Sequence, residues 1–174
     1  RENLSLIFIG TLNKRKGMDL VIRALAEVQL RNWTLDIIGD GPEKETLENL
    51  VKLHGLEEQI NFIGRIHDKA IQREYFKKAD FSISYLQAGL SVLTSLAYGV
   101  PVIVNYKAIS GGEIENVRNF ITGFKVSNER EFLSLLHFLI RNRSISSNMS
   151  FSAKEHYWTK CNPESFVSQL ASIL

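Results

Sequence analysis

Short apolar runs that end in glycine recur through the first 64 residues, and they constrain the fold more than any other feature. The runs are LSLIFIG, WTLDIIG and INFIG, at positions 4–10, 33–39 and 60–64. A short run without polar alternation is typical of a strand buried on both faces of a parallel sheet. Apolar residues at helical spacing, as in Met18–Val28, separate the runs. Strands that alternate with helices predict a parallel sheet covered by helices on both faces.

The same alternation continues through the rest of the chain. We predict further strands at 80–85, 102–104 and 124–126, with a loop and a short helix at 111–119. Helices are predicted at 70–78, 89–98 and 132–140, a helix opens at Gly41–Pro42, and helical sequence restarts at Asn162–Pro163. Asn128 and Glu131 have the spacing of a capping box before the helix at 132–140. The expected fold is α/β: a doubly wound, Rossmann-like parallel sheet of six strands.

The composition is that of a globular domain. The 174 residues are 44% hydrophobic and 23% charged, which excludes a disordered tail or a fibrous repeat. The single cysteine, Cys161, excludes a disulfide framework and a cysteine-based zinc site. A net charge of +2 gives no ground for a nucleic-acid partner. We therefore expect one domain that folds without a metal and binds no nucleic acid.

The uncharged stretch at 81–106 is long enough to span a bilayer. It contains four serines, two glycines and a proline, and a helical run in it lies between two β-rich runs. A buried strand–helix–strand unit has this pattern, so we interpret the stretch as part of the sheet. The sequence begins at Arg1 with no visible signal peptide, and we expect it to be part of a longer cytoplasmic protein. Its mild basicity leaves open peripheral association with the inner face of a membrane.

In an open α/β sheet, ligands bind beyond the carboxyl ends of the strands, where the strand order reverses. With the order 3-2-1-4-5-6, the loops at 11–17 and 86–91 would flank that crevice and the loop at 105–115 would lie beside them. Three cations, Lys14, Arg15 and Lys16, precede a predicted helix start, where free amides attract phosphate. A solvated basic turn is the alternative. The spacing fits neither a Walker loop nor Gly-x-Gly-x-x-Gly.

The other two loops of the crevice carry glycine. Gly89 stands at a predicted helix start, and Gly111 and Gly112 adjoin each other in the third loop. Glycine allows a backbone to approach a ligand closely, so its amides are candidate donors to a phosphate or a sugar hydroxyl. Two glycine-bearing loops and one basic loop at the same crevice favour a polar, phosphorylated ligand.

Together, these fragments resemble the C-terminal half of a family-four retaining glycosyltransferase of the GT-B fold. The resemblance rests on Gly10-x-Leu12-x3-Lys16–Gly17–Met18–Asp19, LDIIGDGP at 35–42, INFIGR at 60–65, Ala79–Asp80, AYGVPVI at 97–103, Gly111–Gly112-x2-Glu115 and Thr122–Gly123–Phe124. It implies that residues 1–174 are the nucleotide-sugar-binding C-terminal lobe, and that an N-terminal acceptor lobe is absent from this chain.

The implied reaction is transfer of a hexosyl group from a nucleoside-diphosphate sugar to a glycan or lipid-linked acceptor, with retention. No metal or other cofactor is implied, because cationic side chains and helix-start amides balance the leaving diphosphate. The resemblance gives Lys16 the catalytic role. It implies donor contacts at Gly10, Thr11, Lys14, Arg15, Gly39, Gly41, Arg65, Ile66, Gln87, Gly89, Leu90, Ser91, Thr94, Gly111 and Gly112. The isolated lobe is expected to be inactive.

Three of the four polar side chains that mark such a donor site are missing. Thr11 stands where the family has Arg, and Leu86 and Thr94 stand at its Glu pair. Two hypotheses follow. The chain is a divergent, active glycosyltransferase in which Lys14 or Arg15 replaces the missing Arg, or it is a non-catalytic glycosyltransferase-like module that partners or stabilises an active enzyme. An open apolar patch at Leu86–Leu90 would favour the second hypothesis.

Overall fold

The computed structural model describes residues 3–164 and contains one six-stranded parallel sheet. The six strands are β1 (Leu4–Ile9), β2 (Trp33–Ile38), β3 (Ile60–Gly64), β4 (Phe81–Ile83), β6 (Val102–Asn105) and β8 (Gly123–Val126). Their order is β3-β2-β1-β4-β6-β8, which confirms the predicted order. Two short strands, β5 (Gln87–Ala88) and β7 (Ile109–Ser110), form a separate parallel pair.

Helices cover the sheet and complete the predicted doubly wound α/β fold. They are α1 (Met18–Ala26), α2 (Lys44–Leu53), α3 (Lys69–Lys78), α4 (Leu90–Ala97), α5 (Glu129–Arg141) and α6 (Ser144–His156), and a π-helical turn at Tyr157–Cys161 follows α6. Alternate residues of β1 enter different cores. Leu6 and Phe8 pack in the main cluster with α1, α2 and α5, whereas Ile7 packs with Phe76 of α3. The strands are therefore buried on both faces, as their continuous apolar sequence predicts.

Several element boundaries differ from the predicted ones. The helix predicted to open at Gly41–Pro42 is present, but it begins at Lys44, after a turn in which the N–H of Lys44 donates to the oxygen of Gly41 at 3.1 Å. The N–H of Glu43 donates to the backbone oxygen of Leu12 at 3.1 Å, which holds this segment against the neighbouring loop. Asn128 is confirmed as the N-cap of α5, since its Oδ1 accepts from the N–H of Glu131 at 3.0 Å, and α5 starts three residues earlier than predicted. The Glu131 carboxylate accepts from the N–H of Ser127 at 2.7 Å, one residue before the donor that a capping box uses. The helix predicted to restart at Asn162–Pro163 falls outside the described residues from position 165 onward.

The uncharged stretch at 81–106 forms β4, α4 and β6, as interpreted from the sequence. Two hydroxyl pairs join α4 to β4 and the residue after it: Ser95 Oγ donates to Ser82 Oγ at 2.8 Å, and Ser84 Oγ lies 2.9 Å from Ser91 Oγ. Within residues 3–164, no helix is long and apolar enough to cross a bilayer.

Candidate functional site

Three loops meet at the carboxyl end of the sheet, and Leu86 joins them. The N–H of Leu86 donates to the backbone oxygen of Lys16 at 3.3 Å, and the N–H of Ile109 donates to the oxygen of Leu86 at 2.8 Å. The β5–β7 ladder then pairs Gln87 with Ile109 and Ala88 with Ser110. The structure thus brings the Lys16 loop, the loop at 86–91 and the loop at 105–115 together at the carboxyl end of the sheet.

Lys16 is the half-buried cation of the first loop. It ends a short 3₁₀ turn, Lys14–Lys16, and is followed by Gly17 in the left-handed conformation at φ 67°. A methyl group built on Gly10 would lie 3.8 Å from Lys16 Nζ, so the ammonium lies beside the end of β1. Burial lowers the pKa of Lys16, and the nearby charge of Arg15 lowers this pKa further. Among the described residues, no carboxylate comes within 4.0 Å of the ammonium, so its charge is uncompensated.

A cavity of about 220 Å³ lies at the carboxyl ends of β1, β2 and β3, and it shares Gly10 with the surroundings of Lys16. Five residues predicted from the sequence line it: Gly10, Thr11, Gly39, Arg65 and Ile66. Asp40 and Gln72 also line it and were missed. Asp40 follows directly after a predicted strand and could have been found, whereas Gln72 lies in α3 and reaches back to donate to the oxygen of Ile66 at 2.7 Å.

Gly39 and Gly41 have a packing role that the sequence did not reveal. A Cβ on Gly39 would lie 1.8 Å from the backbone oxygen of Gly10, and one on Gly41 would lie 2.3 Å from that of Leu12. No side chain fits in either place. These two glycines let the loop after β2 pack directly against the loop after β1.

The hydroxyls predicted at α4 are engaged within the fold. Ser91 pairs with Ser84, and Thr94 Oγ1 donates to the backbone oxygen of Leu90 at 3.0 Å. Gly89 lies at the N-cap of α4 with open space around its Cα. The first amides of a helix lack partners within it, so the start of α4 offers N–H donors to an anion.

The Gly111–Gly112 loop binds its own carboxylate. Glu113 Oε2 accepts from the N–H of Gly111 at 2.9 Å and from Ser110 Oγ at 3.1 Å, and the N–H of Gly112 donates to Ser110 Oγ at 3.1 Å. The N–H of Glu113 itself, followed by those two donors, lowers the pKa of the Glu113 carboxyl. Both glycine amides are therefore already bonded inside the loop.

The remaining candidates are more dispersed. Lys14 lines a different cavity of about 440 Å³, between α1 and α2, while Arg15 is exposed. Leu90 is 74% exposed, but Leu86 is half-buried, so the apolar patch foreseen at 86–90 is open only in part. Residues 3–164 contain no group of three or more His, Cys, Asp or Glu side chains that could hold a metal ion.

The chain is therefore a Rossmann-like domain in which the Lys16 ammonium lies without a counter-ion, among the described residues, at the carboxyl end of the sheet. The family of group 1 glycosyl transferases matches residues 2–156, and the chain belongs to that family. The GT-B resemblance drawn from the sequence is thereby confirmed.

Curated relatives are longer than this chain. An uncharacterized glycosyltransferase of Haemophilus influenzae is 28% identical over 155 residues, which are 86% of this chain and 43% of the relative. The N-acetyl-alpha-D-glucosaminyl L-malate synthase of Bacillus anthracis is 28% identical over 174 residues, 97% of this chain and 44% of the relative. The chain thus spans less than half the length of either protein.

Solved structures share the fold. The C-terminal domain of the group 1 glycosyl transferase LpcC from Francisella tularensis aligns with a TM-score of 0.75 and 21% identity, over 92% of this chain and 87% of that one. Anabaena Alr3699/HepE, solved in complex with UDP, aligns with a TM-score of 0.80 and 19% identity, over 99% of this chain and 48% of that one. At these identities, the likeness shows the fold alone.

Proposed function

We propose that residues 1–174 form the donor-binding C-terminal lobe of a GT-B glycosyltransferase. The whole enzyme would transfer a hexosyl group from a nucleoside-diphosphate sugar to a glycan or lipid-linked acceptor, with retained anomeric configuration and without a bound metal. An N-terminal lobe would hold the acceptor. The observation that carries the proposal is the half-buried Lys16 ammonium, which has no counter-ion among the described residues.

The ammonium of Lys16 and the first amides of α4 would receive the diphosphate. Burial makes the site less polar than water, so an attraction between the ammonium and a phosphate oxygen is stronger there. Negative charge grows on the diphosphate as the bond to the sugar breaks, and a cation fixed in advance stabilises that charge. Lys16 thereby supports both donor binding and the departure of the nucleotide. Binding of UDP by the Anabaena neighbour is consistent with this ligand class.

The cavity of about 220 Å³ would take the nucleoside end of the donor. It adjoins Gly10, which Lys16 covers, so a diphosphate at Lys16 would place a nucleoside at the cavity mouth. Arg65 is exposed at its rim and Ile66 is half-buried, which provides a polar edge and an apolar face for a base.

Calorimetry with the 174-residue chain tests this proposal. UDP, GDP and ADP, each with and without a sugar, are titrated into the unsubstituted chain, Lys16→Ala and Lys52→Ala. Lys52 is an exposed lysine in the last turn of α2 and serves as the matched control. Loss of a charge-assisted contact predicts roughly 10- to 150-fold weaker binding for Lys16→Ala alone. Equal affinity for Lys16→Ala and Lys52→Ala would contradict the proposal.

A non-catalytic partner module is the second candidate, and the exposure of Leu90 favours it. This side chain is 74% exposed at the crevice, where a donor-binding enzyme gains most from polar groups. Under this hypothesis, the chain binds none of the six nucleotides, and the longer protein is inactive with them as well. Under the first hypothesis, the isolated chain binds a nucleotide without turnover, because the acceptor lobe is missing.

We place the reaction in the cytoplasm, with the inner face of the membrane as the location of a lipid-linked acceptor. The net charge of +2 supports only a weak attraction to anionic lipid. Sedimentation with phosphatidylserine vesicles should retain more protein than sedimentation with neutral vesicles. Equal retention by the two would remove the electrostatic part of this proposal.

A further inference from the structure

Leu86 lies against the backbone that carries Lys16. A Cβ built on Gly17 would lie 2.5 Å from Leu86 Cγ and 2.7 Å from Leu86 Cδ1. These distances are far shorter than ordinary contacts, so the Leu86 side chain fills the space beside the Gly17 Cα. Leu86 also packs against the main hydrophobic cluster, which anchors it from the other side.

Lys16 is therefore held by Leu86 in two ways. The main chain of Leu86 donates to the backbone oxygen of Lys16, and its side chain contacts the next residue, Gly17. Gly17 is left-handed and ends the turn that carries Lys16, so its placement sets the direction in which the lysine leaves the backbone. The lysine then extends over Gly10, where a methyl group would lie 3.6 Å from Cε and 3.8 Å from Nζ.

The side chain at position 86 is uncharged and contacts the backbone of the turn at Gly17. Leu86 also lines the cavity of about 440 Å³ between α1 and α2. The contact therefore fixes the backbone of the turn that carries Lys16 without adding a charge to it.

We propose that Leu86 is a positioning residue, which holds Lys16 beside the end of β1 in the orientation that receives a diphosphate. This inference rests on the proposed function for its ligand. Its geometric part, the coupling between Leu86 and Lys16, can be measured without any nucleotide.

The test compares Leu86→Ala with the conservative variant Leu86→Met and the control Leu53→Ala, whose leucine is 77% exposed on α2. NMR of ¹³Cε-labelled lysine follows the Lys16 titration, with the signal assigned from its loss in Lys16→Ala. Calorimetry with UDP gives the affinity. Leu86→Ala removes the contact at Gly17 and loosens the turn that carries Lys16. The Lys16 side chain should then leave its half-buried position, so its pKa should rise towards the ordinary lysine value and UDP should bind roughly tenfold more weakly. Leu86→Met should restore both properties to within about twofold, and Leu53→Ala should change neither.

An unchanged Lys16 pKa in folded Leu86→Ala would overturn the proposal, as would a raised pKa with unchanged UDP affinity. If Leu86→Ala does not fold, Leu86→Val replaces it under the same criteria. Absence of UDP binding by the unsubstituted chain would instead count against the proposed function, and the Lys16 titration would still decide whether Leu86 positions it.

Discussion

The two ends of the sheet treat their charged side chains in opposite ways. At the amino end, Asp80 precedes β4 and accepts from the N–H of Ser5 at 2.8 Å, Arg143 Nη2 at 2.7 Å and Ser146 Oγ at 3.0 Å. At the carboxyl end, Lys16 is half-buried without a counter-ion among residues 3–164. At the amino end the Asp80 carboxylate has a counter-ion within the fold, whereas at the carboxyl end the Lys16 ammonium has none in the described part of the chain.

This difference separates residues that stabilise from residues that bind. A buried charge with a full set of partners contributes to stability mainly because removal of one partner strands the others. An unpartnered, partly desolvated charge does the reverse: it costs stability in the free protein and gains its partner only from a ligand. Substitutions at the two ends should therefore have opposite effects on unfolding and on nucleotide binding.

The largest loss of stability is expected from Asp80→Ala. Arg143 would lose its carboxylate, and its Nε and Nη1 are already buried without a hydrogen-bond partner. We expect the free energy of unfolding to fall by about 3 kcal/mol, or a Tm lower by about 6–12 °C, with unchanged UDP affinity. Urea and thermal unfolding measure this loss. Ser146→Ala removes one hydroxyl donor, which Asp80 Oδ1 and the backbone oxygen of Arg143 share, and should cost about 1 kcal/mol. Equal losses in the two variants would contradict this interpretation.

Gly39→Ala should lower the free energy of unfolding by about 2 kcal/mol, because its Cβ would meet the backbone oxygen of Gly10 at 1.8 Å. The matched control is Gly55→Ala. Gly55 has a positive φ of 61° but no atom within 4 Å of a new Cβ, so only backbone strain of about 1 kcal/mol applies. Urea unfolding of both variants checks the prediction, which fails if Gly55→Ala is the more destabilised of the two.

His156 should make a smaller, pH-dependent contribution to the free energy of unfolding. Its Nδ1 lies 3.2 Å from Arg118 Nη2 and its Nε2 lies 3.0 Å from Asn116 Oδ1. Burial, followed by the charges of Arg118 and Lys160, lowers the pKa of His156 from 6.5. As pH falls through 6.5, His156 becomes protonated in the unfolded chain while it stays neutral in the folded chain, so the free energy of unfolding decreases.

Urea midpoints at pH 7.5 and pH 5.5 measure this effect. His156→Gln should reduce the difference between the two midpoints, since glutamine does not titrate. An unchanged difference would show that His156 makes no contribution to the pH dependence.

The smallest change in stability is expected from Lys16→Ala. No ion pair is lost and a desolvated ammonium is removed, so the free energy of unfolding should stay within about 0.5 kcal/mol or rise slightly. Urea unfolding beside Arg143→Ala, which leaves Asp80 unpaired, provides the contrast. If Lys16→Ala lowered the free energy of unfolding as much as Arg143→Ala, the proposed difference between the two ends of the sheet would be wrong.

Local sequence patterns predicted most of the fold. Buried parallel strands have short apolar sequences, so β1, β2 and β3 could be predicted. Their order followed from the doubly wound fold. Contacts between distant residues could not. Asp80 and Arg143 are 63 positions apart, and no local sequence pattern predicts that they form an ion pair.

The candidate site was predicted only in outline. The strand order correctly brings three loops together, and five predicted residues share one cavity. The packing roles of Gly39 and Gly41 depend on how two loops fit face to face, which no local spacing encodes. The sequence drew attention to Leu86 for the carboxylate it lacks and for a candidate apolar patch, but its contact with Gly17 gives no signal in the sequence.

A crystal structure of the chain with UDP would show whether Lys16 holds the diphosphate. We expect a diphosphate oxygen within about 3 Å of Lys16 Nζ, beside the start of α4, with the uridine at the cavity that Arg65 and Ile66 line. A diphosphate bound at the amino end of the sheet, or at the carboxyl end beyond the reach of Lys16, would contradict this expectation.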